Sequence, residues 1–260
     1  MKTVINEIKS ELFDQKNVRF YVKRDDLIHP YISGNKFRKL KYNLERARKE
    51  GHRTLVTFGG AYSNHIYALA AAGAMYGLKT VGVIRGEPYN PLNPTLAFAS
   101  EKGMKLHYLS RESYQRKYHK SFLNELEKIY GPHYLVPEGG SNVEAVRGCC
   151  EIVREIDQEV DVIAVCCGTG GTMAGILAGL DGDKYGVGFP VLKHGEFLKN
   201  DISGLVRSYN GREYQNWHLE SNYHFGGFAR FKMELIDFIN DFKKKFGILL
   251  DPVYTGKMMY

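Results

Sequence analysis

Three short segments combine residue types that could hold an anion and present an amine nucleophile. The first is Ser33-Gly34-Asn35-Lys36-Phe37-Arg38-Lys39-Leu40. Phe37 and Leu40 set an apolar helical face, so Lys36 stands at a helix start rather than on a solvated flank. The positive end of the helix dipole, with Arg38 and Lys39 nearby, disfavours its charged form and predicts a pKa below the roughly 10.4 of a free lysine. An amine tuned in this way is a better nucleophile. The plainer alternative is a solvated lysine in a basic helix.

The second segment, Gly59-Gly60-Ala61-Tyr62-Ser63-Asn64-His65, follows the apolar run 54–58 and opens an Ala-rich helix that reaches Gly77. Unpaired backbone N–H groups at such a start favour an anion. Ser63, Asn64 and His65 add side-chain hydrogen bonds, although an N-cap Ser or Asn beside an ordinary histidine is the alternative. The third is Cys167-Gly168-Thr169-Gly170-Gly171-Thr172, between the run 162–166 and a helix over 173–180. Here glycines let the backbone wrap a phosphate and the threonine hydroxyls can donate to it. Met173 stands where G-x-G-x-x-G needs its third glycine and no Walker lysine follows, which disfavours nicotinamide and ATP. A glycine-rich turn with no ligand is the alternative.

Elements must hold these segments in place. Apolar runs at 18–22, 54–58, 80–84, 105–108, 134–136, 162–166 and 185–189 alternate with helical patterns, which predicts an α/β fold with largely parallel sheets flanked by helices. Phe37, Leu40, Leu44 and Ala47 recur at helical spacing, as do Phe228, Phe231, Leu235, Phe238 and Phe242 ahead of Gly247. Both read as core-facing stripes. The strand-helix units within 50–150 predict a small domain, with 1–49 and 151–260 forming a larger one and a ligand in the cleft between them.

Composition bounds the rest. A chain of 260 residues, 43% hydrophobic and 25% charged, is globular rather than disordered or collagen-like. The charged start MKTVINEIKSELFDQK lacks a hydrophobic signal core, and no apolar run approaches the roughly 18 to 20 residues that cross a bilayer. A cytoplasmic protein with no membrane partner is expected. The net charge of +7 comes from scattered basic residues with no stripe for nucleic acid, and suits small anionic ligands. Cys149-Cys150 and Cys166-Cys167 lack C-x-x-C spacing, so buried reduced thiols and no metal site are expected.

Taken together, the segments resemble the fold type II (tryptophan synthase β-like) pyridoxal phosphate enzymes, and within them the 1-aminocyclopropane-1-carboxylate (ACC) deaminase and D-cysteine desulfhydrase family. The resemblance runs from Tyr21-Val22-Lys23-Arg24-Asp25-Asp26 through the three segments and Pro137-Glu138-Gly139-Gly140-Ser141-Asn142 to Asp251-Pro252-Val253-Tyr254-Thr255-Gly256-Lys257. It implies a two-domain fold with pyridoxal 5′-phosphate as cofactor, Lys36 as the Schiff-base lysine and Lys39 reaching the phosphate. It further implies Asn64 on the pyridoxal 3′-oxygen, and Gly168, Thr169, Gly170, Gly171 and Thr172 around the phosphate. Tyr254 and Thr255 would lie against the ring, with the Thr255 hydroxyl near the pyridine nitrogen. Ser63, Asn64 and His65 would receive the carboxylate of a small amino acid substrate.

The implied reaction turns D-cysteine or a related β-substituted amino acid into a 2-oxo acid and ammonia, with Lys36 as general base and β-elimination of the leaving group. ACC deamination, with Ser63 or Tyr254 as nucleophile or base, is the alternative, as is a non-catalytic cofactor-binding homologue. A homodimer is implied. Two departures stand out. ACC deaminases carry Glu where this chain has Thr255, and Phe225 replaces a tyrosine at a substrate-binding position. The chain stops at Tyr260 where family members continue, so either the sequence is a truncated product or the pocket closes differently.

Overall fold

The computed structural model describes residues 2–88 and 90–260, and the chain divides into two compact units, 1–25 with 146–260 and 26–145. The first unit opens with strand β1 (Ile5–Ile8), helix α1 (Glu11–Gln15) and strand β2 (Phe20–Lys23), paired antiparallel with Ile5 opposite Lys23.

The second unit runs α2 (Asn35–Lys49), β3 (Thr54–Gly60), α3 (Asn64–Tyr76), β4 (Lys79–Arg85), α4 (Pro94–Glu101), β5 (Lys105–Leu109), α5 (Arg111–Gln115), α6 (Lys120–Tyr130) and β6 (Tyr134–Val136). Its four strands form one parallel sheet in the order β5-β4-β3-β6. Both faces are covered. Leu55 and Ile84 join a core with Leu40, Leu44, Ala47, Ile66 and Leu69, while Val56, Phe58, Val81 and Val83 pack on Tyr114 and Leu126. Burial on both sides explains why these strands read as near-continuous apolar runs.

The chain then returns to the first unit through α7 (Val143–Arg154), β7 (Val162–Cys167), α8 (Gly171–Leu180), β8 (Tyr185–Pro190), α9 (Leu198–Asn210), β9 (Trp217–Leu219), α10 (Met233–Phe246) and α11 (Thr255–Met259). Here β7, β8 and β9 make a second parallel sheet in that order. A Cβ on Gly175 would stand 2.9 Å from Val146 O and overlap Cys149, so α8 meets α7 at a bare backbone. None of the four cysteines is in a disulfide; three are buried and Cys166 is half-buried.

Three expectations are corrected. Residues 26–49 belong with the middle unit rather than the flanking one, because the α2 stripe of Leu40, Leu44 and Ala47 packs into the core of the β3 sheet. The division also falls at 145/146 rather than 150/151. Phe228 and Phe231 precede α10 and are exposed, since Phe225, Gly226, Gly227 and Ala229 all take positive φ and prevent the helix from starting earlier.

Candidate active site

In the middle unit, the side chains expected to form the site lie near strand ends and helix starts. β3 leads through Gly60 directly into α3, whose N-cap is Ser63. The Ser63 hydroxyl accepts from the His65 and Ile66 backbone N–H groups at 3.2 and 3.3 Å. Two amides expected to meet a carboxylate are therefore satisfied by the cap. Asn64, the first helical residue, is exposed.

α2 begins one residue before Lys36, in agreement with the spacing of its apolar face. Lys36 Nζ donates to Gly139 O at 3.5 Å. Lys39, only 2% exposed, donates to the same carbonyl at 3.1 Å and to Ser141 Oγ at 2.9 Å. Two lysines three residues apart on one helix thus converge on one loop oxygen. The resemblance sent Lys39 towards a phosphate. Its ammonium is bonded to the 139–141 loop of its own unit.

That loop is held at both ends. Glu138 accepts from Tyr114 OH at 2.8 Å and pairs with Lys117 at 3.3 Å. At the other end the Asn142 amide donates to Asn43 Oδ1 at 2.7 Å, and Asn43 donates back at 3.1 Å. The Gly139 carbonyl is therefore a fixed acceptor.

His65 is buried, and its ring nitrogens have unequal surroundings. Nε2 lies 2.9 Å from Thr57 Oγ1, and the Thr57 hydroxyl donates its only hydrogen to Val136 O at 2.7 Å. A carbonyl cannot donate, so the hydroxyl must accept from His65, which assigns the Nε2–H tautomer. Nδ1 is then an acceptor, and it is buried without a partner among the described residues. Burial, followed by the charges of Lys36 and Lys39, holds the imidazole pKa well below its usual value. A neutral ring whose open nitrogen accepts hydrogen does not suit a carboxylate.

In the other unit, β7 ends in the turn 168–172 and α8 follows. Gly170 takes φ 74° at the helix N-cap, with no side-chain cap on the first amides. A methyl on Gly168 would stand 3.1 Å from the Tyr254 ring, which places that ring against the turn. Thr172 is buried. Beside Tyr254, Asp251 accepts from the backbone N–H groups of Val253, Tyr254 and Thr255 at 2.9, 2.7 and 3.0 Å. The Thr255 hydroxyl donates to Asp251 Oδ2 at 2.8 Å and accepts from Asp251 N at 2.9 Å. Phe225 packs edge-on against Tyr260 at 5.0 Å and joins the core of Leu235 and Ile239.

Sequence reasoning assigned no role to Thr57, Asp251, Ser141 or Lys257. Lys257 is 2% exposed and donates to His224 O at 2.8 Å and Gly227 O at 2.7 Å, pinning the loop that carries Phe225. Burial lowers its pKa. The Asp-Pro step before Tyr254 was the one legible signal, as a turn initiator whose carboxylate caps the following amides.

A family model described as pyridoxal-phosphate dependent enzyme matches residues 8–191. The chain belongs to that family. Its relatives include the Arabidopsis thaliana mitochondrial bifunctional D-cysteine desulfhydrase/1-aminocyclopropane-1-carboxylate deaminase, 31% identical over 92% of this chain and 65% of the relative. A Salmonella paratyphi A D-cysteine desulfhydrase is 28% identical over 97% of this chain and 83% of its own. A crystal structure of an ACC deaminase homologue covers all of this chain and 83% of its own, with a TM-score of 0.87 and 29% identity.

The residues present fit the family's cofactor. The 168–171 turn carries little side-chain bulk, its helix start has no side-chain cap, and hydroxyls flank it, which is the donor set a phosphate needs. Lys36 offers an amine at a helix start. Bound pyridoxal phosphate supplies a carbonyl for an amine and a ring that withdraws electrons.

Proposed function

We propose that this protein releases a 2-oxo acid and ammonia from a small β-substituted amino acid, with D-cysteine preferred over the cyclopropane amino acid. Lys36 holds the cofactor and moves the α-proton. Residues 168–172 receive the phosphate, with Thr169 and Thr172 donating, and Tyr254 backs the turn. Asn64 orients the ring oxygen, and the Ser63 hydroxyl keeps a hydrogen to donate to the substrate carboxylate.

The observation that carries the substrate preference is the Thr255 hydroxyl. It is neutral and its hydrogen is committed to Asp251, so no acid stands at that position to hold a proton on a pyridine nitrogen. Expulsion of thiolate, a good leaving group, demands less electron withdrawal than opening a ring on a carbon without an α-hydrogen. The relative named as bifunctional supports ring opening as the second activity.

Sulfide release from D-cysteine and 2-oxobutanoate release from the cyclopropane, measured on one preparation, test the ranking. A higher kcat/KM for the cyclopropane overturns it. We further infer a homodimer, to be checked by sedimentation. No helix among the described residues is long and apolar enough to cross a membrane.

A further inference from the structure

The unpartnered Nδ1 of His65 calls for an explanation, because a buried acceptor left without a donor is costly and uncommon in native folds. It is not an accident of a loose ring. Thr57 and Val136 are register partners across β3 and β6, so the hydroxyl that fixes the tautomer is set by the sheet itself. The ring also borders the glycine pair: a Cβ on Gly140 would come within 3.0 Å of His65 Cε1 and 3.4 Å of Nδ1. Gly139, the preceding residue, accepts from Lys36. The open lone pair and the Lys36 nitrogen therefore border the same two-glycine step.

We propose that His65 is a positioning residue for Lys36: its Nδ1 lone pair accepts a hydrogen from the Lys36 nitrogen when that nitrogen leaves the Gly139 carbonyl, and Thr57 keeps Nδ1 in the accepting state. The role is confined to orientation, since the ring keeps its own proton on Nε2 throughout. It rests on the reading of Lys36 as the cofactor lysine.

Protein labelled with 15N-histidine, with the His65 signals assigned by their loss in His65→Gln, tests the idea without turnover. The apoprotein shows the Nε2–H tautomer and a bare Nδ1. In the holoprotein, D-alanine, an amino acid with no leaving group, moves the Nδ1 resonance to higher field, and the same addition to Lys36→Ala leaves it in place. An Nδ1–H tautomer, no movement in the wild type, or a movement that persists in Lys36→Ala overturns the proposal.

A pair of substitutions adds a second measurement. Asn places an amide oxygen where Nδ1 stood, whereas Gln places its amide where Nε2 meets Thr57. Positioning through Nδ1 leaves His65→Asn at least about tenfold faster in sulfide release than His65→Gln. Equal rates or the reverse order would mean the histidine serves only its bond to Thr57. Mass spectrometry of the borohydride-reduced holoprotein separates the two levels of failure. Cofactor on another lysine sinks the reading of Lys36, while cofactor on Lys36 with a silent Nδ1 sinks only the role of His65.

Discussion

His65 is neutral in the fold because burial and two lysines oppose its protonation. The unfolded chain binds a proton there near the ordinary pKa of about 6.5. Stability from this residue is thus complete above that pH and is lost as pH falls below it, by about 1.4 kcal/mol per pH unit for one proton. Urea unfolding of wild type and His65→Gln between neutral and mildly acid pH should show a shallower acid limb in the variant. Parallel limbs would assign acid sensitivity elsewhere. Lys36 gives a second residue-scale expectation. Borohydride should fix the cofactor to the peptide containing Lys36, and Lys36→Ala should carry no such adduct. Label on Lys39 or Lys257 would refute the assignment.

The turn before α8 is an element built around absent side chains. Gly170→Ala places a Cβ in the left-handed region and 2.5 Å from Ile202 Cγ1. Strain and overpacking together cost about 2–4 kcal/mol, to be read from chemical denaturation. Thr172→Ala removes a hydroxyl at the same helix start and should weaken cofactor binding by about 1.5–3 kcal/mol, the range for a hydrogen bond to a charged group, as measured by spectroscopic titration. An unchanged affinity places the phosphate elsewhere. At this scale the sequence was largely legible. The runs 54–58, 80–84 and 134–136 lie within β3, β4 and β6, and the start of α2 at Asn35 follows from its stripe. β1 and β9 escaped notice because polar residues interrupt INEI and WHL, which are too short to show a period around them. The site was readable where chemistry is local, as at Ser63 or the glycine turn. It was hidden where a role arises across the sheet, as when Thr57 meets Val136 or two lysines share Gly139 O, since spacing along a chain does not reveal its partner.

On the scale of the whole molecule, one unit is continuous in sequence and the other is not. Residues 26–145 contain a complete four-stranded sheet buried on both faces. A fragment spanning 26–142, ending at the Asn142 that caps α7 through the Ala145 amide, should fold alone. Cooperative melting by circular dichroism is the expected outcome, and a structureless spectrum would show that the sheet depends on the flanking segments. The placement of α2 bears on why the domain boundary was misread. A periodic stripe reveals that a helix is buried, but not which core receives it.

The discontinuous unit imposes an order in time. Ile8, Phe13, Phe20 and Val22 from the β1 and β2 segment share a core with Leu235, Ile239, Phe242 and Leu250 from the other end of the chain. At a ribosomal pace of 5–20 residues per second, the first group waits on the order of 10–50 s for the second to be made. A two-stranded ribbon is marginal in water without a third layer. During that interval the middle segment can complete its own sheet, while the leading apolar side chains stay available to a holding chaperone until α10 emerges to cover them.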